Sequence, residues 1–384
     1  GASRQVSVAE GRDQLLEFRV RLGDTPGEQP VIFSARSGDY QARYRESISV
    51  RPASPYRTVL QAGMIAPGSS HNAEGLRQLH TEYAQSAVSV GASPLPWAKG
   101  LTGYLNHYAH QCTEQLTSRA VPWLVLQGYA DLANPDGLSL ADVLRTLRSR
   151  QNDEGGFGLW LASPNASDYA TLFALHFLLE ARDRREAVPD DVLGQALSYT
   201  ERLVRRPHQN LSDLRLAAWG VYLIARSGRT PGNLLTAVEA DLQKYFPQQW
   251  RQDLAAAYLA SARALQQQPE LALPLMKNLT WGKESQRVVL YQDDLTRQAI
   301  QLYLLSKHFP ELLTGVPDSV LLNMGQAISR QQYHSQSAAW MILALESYHS
   351  RAAATGAQAQ VSYLTTAQSP AQTLPLSRGG AAQS

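Results

Sequence analysis

Cys112 is the single cysteine of this 384-residue chain, and Gln115 follows it by three positions. On a helix, side chains three apart share a face and can meet. A thiol at a helix N-terminus also feels the positive end of the peptide dipoles, which favours thiolate. A thiolate held against a carboxamide can displace ammonia, which joins the sulfur of Cys112 to the acyl carbon of Gln115 as an internal thioester. The residues alone leave a plainer reading open, in which a lone cysteine in an apolar helix is a small buried hydrophobe. Glu114 stands between the two. It can orient such a bond or take up a proton, and it reads equally well as a solvated charge in a first helical turn.

The rest of the composition narrows the chemistry. Lys and Arg number 35 against 33 Asp and Glu, with no basic block, so no nucleic-acid partner is expected. No run of eighteen apolar residues occurs, so no transmembrane segment is expected. One cysteine excludes a disulfide framework and a multi-cysteine zinc site, and neither metal nor cofactor is expected. The acidic pairs Asp153-Glu154, Asp190-Asp191 and Asp293-Asp294 each suit a helix cap or first turn. His107 and His110 precede the thiol closely enough for a Cys–His dyad to be conceivable, although both occupy ordinary helix positions.

These groups need elements to hold them. The first segment alternates apolar and polar residues at Phe18–Leu22 and Ile48–Arg51, with a short apolar run at Val31–Phe33, and reads as β-structure. So few strands cannot bury a core alone. They are expected to pair with strands outside this sequence or with Gln360–Leu364. From Pro96 to Ala353 the period becomes helical, with about twelve helices starting near Pro96, Cys112, Ser139, Ser167, Asp190, Ser212, Pro231, Arg251, Pro269, Asp293, Asp318 and Gln336. Alternate helices repeat an Ala-rich stretch around an aromatic ring at His176, Tyr222, Tyr258 and Tyr303, spaced 46, 36 and 45 residues apart. Counting back reaches Tyr129, and counting forward reaches Ala338–Leu345. Six hairpins with apolar inner helices predict a closed ring, which needs no polar terminal caps. The expected fold is mainly α, an α/α toroid of about six helical hairpins. The expected divisions are a β-rich flanking segment over 1–68, the toroid over 69–355, and a return strand with a mobile tail over 356–384. The chain opens on Gly-Ala-Ser and reads as a piece of a longer protein.

Cys112-Thr113-Glu114-Gln115 resembles the Cys-x-Glu-Gln thioester motif of the alpha-2-macroglobulin and complement family, and Leu116–Pro122 looks like its bacterial branch. Val50–Tyr56 is similar to the strand leading into the family's thioester domain, and Gln151–Trp160 is similar to its Gln-x-x-Asp-Gly-Gly-Phe turn. Where bacterial members carry a small-residue pair before the cysteine, this chain carries His110-Gln111. The resemblance implies a toroidal thioester domain beside a small β-domain, a partial β-sandwich or CUB-like segment. It implies a single-use covalent protease trap and not an enzyme, of the kind used in innate-immunity-like defence. The pair Cys112 and Gln115 would acylate surface lysines of an attacking protease, and neighbouring domains of the parent chain would shield the bond. Localisation would be the Gram-negative periplasm, with any inner-membrane anchor in a part of the parent chain outside this sequence. Complement relatives use a histidine to pass the acyl group to hydroxyls, and by order along the chain His208 is the candidate relay.

Two other classes stay open. The Gln151–Trp160 turn is also similar to the repeat turn of terpenoid cyclases, which would need a deep toroid cavity lined with carboxylates or aromatics. A non-covalent interaction module, a toroid whose thioester never forms, is the remaining alternative.

Overall fold

In the computed structural model of the protein, the described residues are 3–25, 27–51, 58–72, 87–129, 132, 138–281, 293–352, 360–364, 369–374, 376 and 381–383. They fall into two units, Gly1–Arg57 and Thr58–Ser384. The first holds an antiparallel hairpin of β1 (Gly27–Ser37) and β2 (Tyr40–Val50), in which Gly27 faces Val50 and Ser37 faces Tyr40. Gly38 sits in its tight turn at φ 56°, the left-handed conformation that glycine supplies without a steric penalty. Phe18–Leu22, expected as a strand, joins no ladder; the Phe18 ring packs against Phe33 at 6.4 Å instead. Alternation sets which side of a strand is apolar, but it does not provide the neighbouring edge that a strand must bond.

The far end of the chain supplies strands to two further short ladders. Val88–Val90 (β3) pairs with Ala381–Gln383, and Val361–Tyr363 pairs with Gln372–Leu374, in both cases antiparallel. The 360–364 segment thus pairs locally, and the tail read as mobile contains two strands.

The second unit contains twelve α-helices among the described residues, and their starts follow the sequence reading closely. The widest difference is Leu254 against the expected Arg251. Six alternate helices are α2 (Thr113–Leu126), α4 (Asp168–Asp183), α6 (Leu211–Arg226), α8 (Leu254–Leu265), α10 (Asp294–His308) and α12 (Ser335–Ala352). Each packs on the next, and α12 returns to α2. The ring is closed. Outside it lie α1 (Trp97–Asn106), α3 (Leu140–Arg150), α5 (Asp190–Arg205), α7 (Gly232–Tyr245), α9 (Pro269–Lys277) and α11 (Asp318–Ser329). This is an α/α toroid, and composition explains the layering. Along α8 every residue from Leu254 to Ala262 is buried, whereas α5 buries only the stripe Val192, Leu193, Ala196, Leu197, Tyr199, Thr200, Leu203 and Val204. The repeated rings His176, Tyr222, Tyr258 and Tyr303 lie on inner helices; Tyr129, reached by counting, lies just past the end of α2.

Side chains fill the centre. His176 packs edge-on to Trp340 at 4.8 Å and against Tyr303 at 5.2 Å, while Trp219 stacks on Tyr258 at 5.8 Å. Buried rings thus occupy the centre that a cyclase would need as an open cavity.

The inner helices run parallel, so their carbonyl ends gather at one face, where cations are favoured. Arg226 and Lys307 sit there around the buried Glu180, at 2.5 and 2.8 Å. Arg184 and the Tyr303 hydroxyl also reach Glu180, and Arg226 and Arg184 extend to Asp183 at 2.7 Å and Glu346 at 3.1 Å. His176 is held well below its usual pKa, first by burial and then by Arg226, so it stays neutral.

Candidate functional site

The opposite face gathers the helix N-termini, whose first N–H groups need acceptors. Ser167, Asn210, Asp253 and Asp293 cap α4, α6, α8 and α10 and accept from Ala170, Asp213, Ala255 and Thr296. Cys112 holds the same position on α2, with extended backbone at φ −62° and ψ 167°. Its side chain lies toward the Gln115 N–H, while its own N–H donates to Gln115 Oε1 at 3.1 Å. A thiol and a carboxamide thus take the two reciprocal roles of a capping box. This ties Cys112 and Gln115 to each other at the start of one helix.

The thiol is half-buried, and burial raises its pKa. The N–H groups of Gln115 and Glu114 and the charge of Arg150 pull the other way without reversing it. Burial therefore opposes the thiolate that the helix N-terminus was expected to favour. The solvated reading of Glu114 is corrected. Glu114 is 5% exposed, accepts from Ser118 at 2.7 Å, and takes the Ser335 hydroxyl at 3.2 Å on both oxygens. Burial pushes its pKa up against those hydrogen bonds. Ring closure explains the contact, since Ser335 opens α12 and α12 packs on α2.

A second wall comes from the Gln151–Trp160 turn. Thr113 donates its N–H to the Leu159 carbonyl at 2.9 Å and its hydroxyl to the Gly158 carbonyl. The turn is cross-tied: Gln151 Nε2 donates to the carbonyls of Gly155 and Val192, both at 3.0 Å, and Phe157 N–H donates to Thr171 Oγ1 at 2.8 Å. Gly155 has φ 82°, and a Cβ there would stand 2.4 Å from the Gln195 carbonyl oxygen. Gly155→Val should therefore lower unfolding stability by about 1–3 kcal/mol from backbone strain alone, read as a lower urea midpoint. Gly194→Ala, on open helix surface, should instead be neutral or stabilising by up to about 1 kcal/mol.

Aromatic rings cluster near Glu114. Tyr104 meets Tyr333 edge-on at 4.9 Å and Tyr108 at 5.7 Å, and Tyr108 meets His110 at 5.9 Å. Burial pushes the Tyr104 phenol up, with Tyr108, Tyr333 and Glu114 adding to it. His334, next to Ser335, pairs with Asp293 at 3.2 Å. Sequence reasoning missed Ser118, Ser335, His334 and Arg150. The one available signal was that a closed ring must bring the start of its last inner helix beside the start of its first. Among the described residues, no group of three or more His, Cys, Asp or Glu could hold a metal ion, and no helix is long and apolar enough to cross a membrane.

Comparison with known proteins gives this geometry a family. No protein-family model matches the chain. An alpha-2-macroglobulin homolog of Yersinia pestis is 37% identical over 357 residues, covering 90% of this chain and 18% of its own. Alpha-2-macroglobulin of Rickettsia conorii is 30% identical over 363 residues, covering 89% and 19%. The chain is a homologue of the bacterial alpha-2-macroglobulins. It spans about a fifth of the length of these alpha-2-macroglobulins. The fold agrees with native Escherichia coli alpha-2-macroglobulin from domain MG7 to the C-terminus, at TM-score 0.64 and 18% identity, over 93% of this chain and 58% of that one. Salmonella alpha-2-macroglobulin reacted with methylamine gives TM-score 0.66 at 18% identity, over 94% and 24%. E. coli alpha-2-macroglobulin activated by porcine elastase gives TM-score 0.51 at 19% identity, over 93% and 33%.

In this alpha-2-macroglobulin homologue Cys112 and Gln115 are in contact, and the intervening Glu114 is buried. His208 sits on the α5–α6 connection, its Nε2 at 3.2 Å from the Val204 carbonyl. His107 turns back to its own helix, with Nδ1 at 2.8 Å from the Gly103 carbonyl.

Proposed function

We propose that Cys112 and Gln115 form an internal thioester and that the chain is the thioester domain of a bacterial alpha-2-macroglobulin-like protease trap. The observation that carries this reading is the reciprocal box at the start of α2, with Cys112 N–H on Gln115 Oε1 at 3.1 Å. Among the relatives, the Salmonella protein reacted with methylamine supports acyl transfer to an amine, and the E. coli protein activated by elastase supports a protease as partner. The amine nitrogen bonds to the acyl carbon of residue 115, the carbon–sulfur bond breaks, and sulfur leaves with the electron pair. No activated enzyme nucleophile is needed, since thiolate leaves readily. What the fold must supply is exclusion of water until the trap is sprung, and the tyrosine layer and neighbouring domains of the parent chain fill that role. The trap acts once, in the periplasm.

Nucleophile preference tests the reading. Amines attack thioesters unaided, whereas hydroxyls need a base or an acyl-imidazole relay. Methylamine should add to residue 115 and release one thiol, and glycerol should add little at neutral pH. Comparable glycerol and methylamine adducts would reject direct aminolysis, and loss of only the glycerol adduct in His208→Ala would then make His208 the relay. An unmodified Gln115 beside a free thiol in fresh, never-denatured protein would reject the thioester and leave a non-covalent interaction module.

A further inference from the structure

We propose that Arg150 is the counter-charge for the Cys112 thiolate set free when the acyl group leaves, an inference that rests on the thioester reading of the site. Arg150 ends α3, and its carbonyl accepts the Gly158 N–H at 2.9 Å, so the turn that braces Thr113 also fixes the backbone of Arg150. Its Nη1 donates to Thr113 Oγ1 at 3.3 Å, one residue from the sulfur-bearing Cys112, and its guanidinium lies over the Trp160 ring, 5.9 Å from the centroid. On the same helix Arg145 and Arg148 pair with Asp142 and Asp191 at 2.8 and 2.6 Å. Among the described residues Arg150 has no such carboxylate. A half-buried guanidinium held by a neutral hydroxyl and an indole face is a cation kept available for another anion.

The chemistry supplies that anion. As the amine displaces sulfur, a full negative charge appears at Cys112 and the amine's surplus proton passes to water. Four groups face the thiol. The N–H groups of Glu114 and Gln115 favour the charge, the Glu114 carboxyl opposes it, and Arg150 of α3 favours it. Arg150 alone among them brings a full positive charge; burial lowers its own pKa, and Cys112 pulls the other way by favouring the charged guanidinium. Because Glu114 is buried two positions from the sulfur, a cation from the opposite wall offsets both its field and the cost of desolvation.

The test uses the full chain after methylamine treatment, which leaves Cys112 as a free thiol. The rate of iodoacetamide alkylation is followed by mass across pH in the wild type, Arg150→Gln, Arg150→Lys and Thr113→Val. Arg150→Gln should raise the apparent thiol pKa by about half a unit to one unit, a roughly three- to tenfold slower alkylation on the acid side. Arg150→Lys should restore most of the shift, and Thr113→Val, which keeps the charge and removes its tether, should fall between. The methylamine reaction of fresh Arg150→Gln should slow in the same order. An unchanged thiol titration in Arg150→Gln, or Arg150→Lys indistinguishable from it, would overturn the proposal. If the wild type never forms a thioester, the functional reading fails by mass. The alkylation profile still decides whether Arg150 and Cys112 are coupled. Should Arg150→Gln lose its helical circular dichroism, Arg150→Lys against Thr113→Val carries the same comparison.

Discussion

Cys112→Ala will abolish both the ammonia deficit of the intact protein and the methylamine adduct, while Gln115→Ala will abolish both and leave a thiol that alkylates. A thioester removes one ammonia from the encoded mass, so the wild type should weigh that much less. The variant without sulfur has no leaving group, and the variant without the carboxamide has no acyl donor. The fold should survive Cys112→Ala, because the residue-112 N–H keeps its acceptor at Gln115 Oε1. The loss therefore reads chemistry and not unfolding. Intact mass before and after methylamine checks it. A methylamine adduct that persists in Cys112→Ala would place the reactive centre elsewhere.

Glu180→Gln should cost about 3–5 kcal/mol of stability, because it leaves buried cations without their shared anion. Glu180 lies at 1% exposure, with Arg226 at 2.5 Å, Lys307 at 2.8 Å and Arg184 also in contact. Burial raises its pKa, but Arg226, Lys307 and Arg184 lower it further, and the outcome is well below the usual carboxylate value. A carboxylate depressed in the folded state contributes in full above its unfolded pKa, and that contribution is lost as pH falls toward the folded one. The gap between wild type and Glu180→Gln should thus be full at neutral pH and shrink in acid, below the ordinary carboxylate range. Urea unfolding at neutral and acid pH measures it. A gap under about 1 kcal/mol at neutral pH, or one that widens in acid, would contradict the assignment.

The toroid was legible because inner and outer helices differ in how much of their surface is apolar, and because the rings at 176, 222, 258 and 303 repeat on the inner set. The closeness of Cys112 and Gln115 was legible in their three-residue spacing, although the contact forms as a capping box, with Cys112 in extended backbone just before the helix. The walls were not. Ser335 reaches Glu114 from 221 residues away, and nothing in either segment names the other. Arg150 looks like any charge at a helix end until the turn folds back and its carbonyl takes the Gly158 N–H. The thiol's raised pKa was missed because a dipole can be read from position, whereas desolvation depends on what packs around it. Phe18–Leu22 was misread because its pattern carries no information about a neighbouring edge.

The seam between α12 and α2 has a consequence for biosynthesis. All of Cys112-Thr113-Glu114-Gln115 leaves the ribosome long before Ser335, which hydrogen-bonds to Glu114, has been made. A nascent chain stopped short of α12 carries the motif with one side open to water. The last inner helix therefore acts as a checkpoint in time: Glu114 gains its Ser335 contact, and the proposed thioester that wall, only when the ring has been translated through to its end.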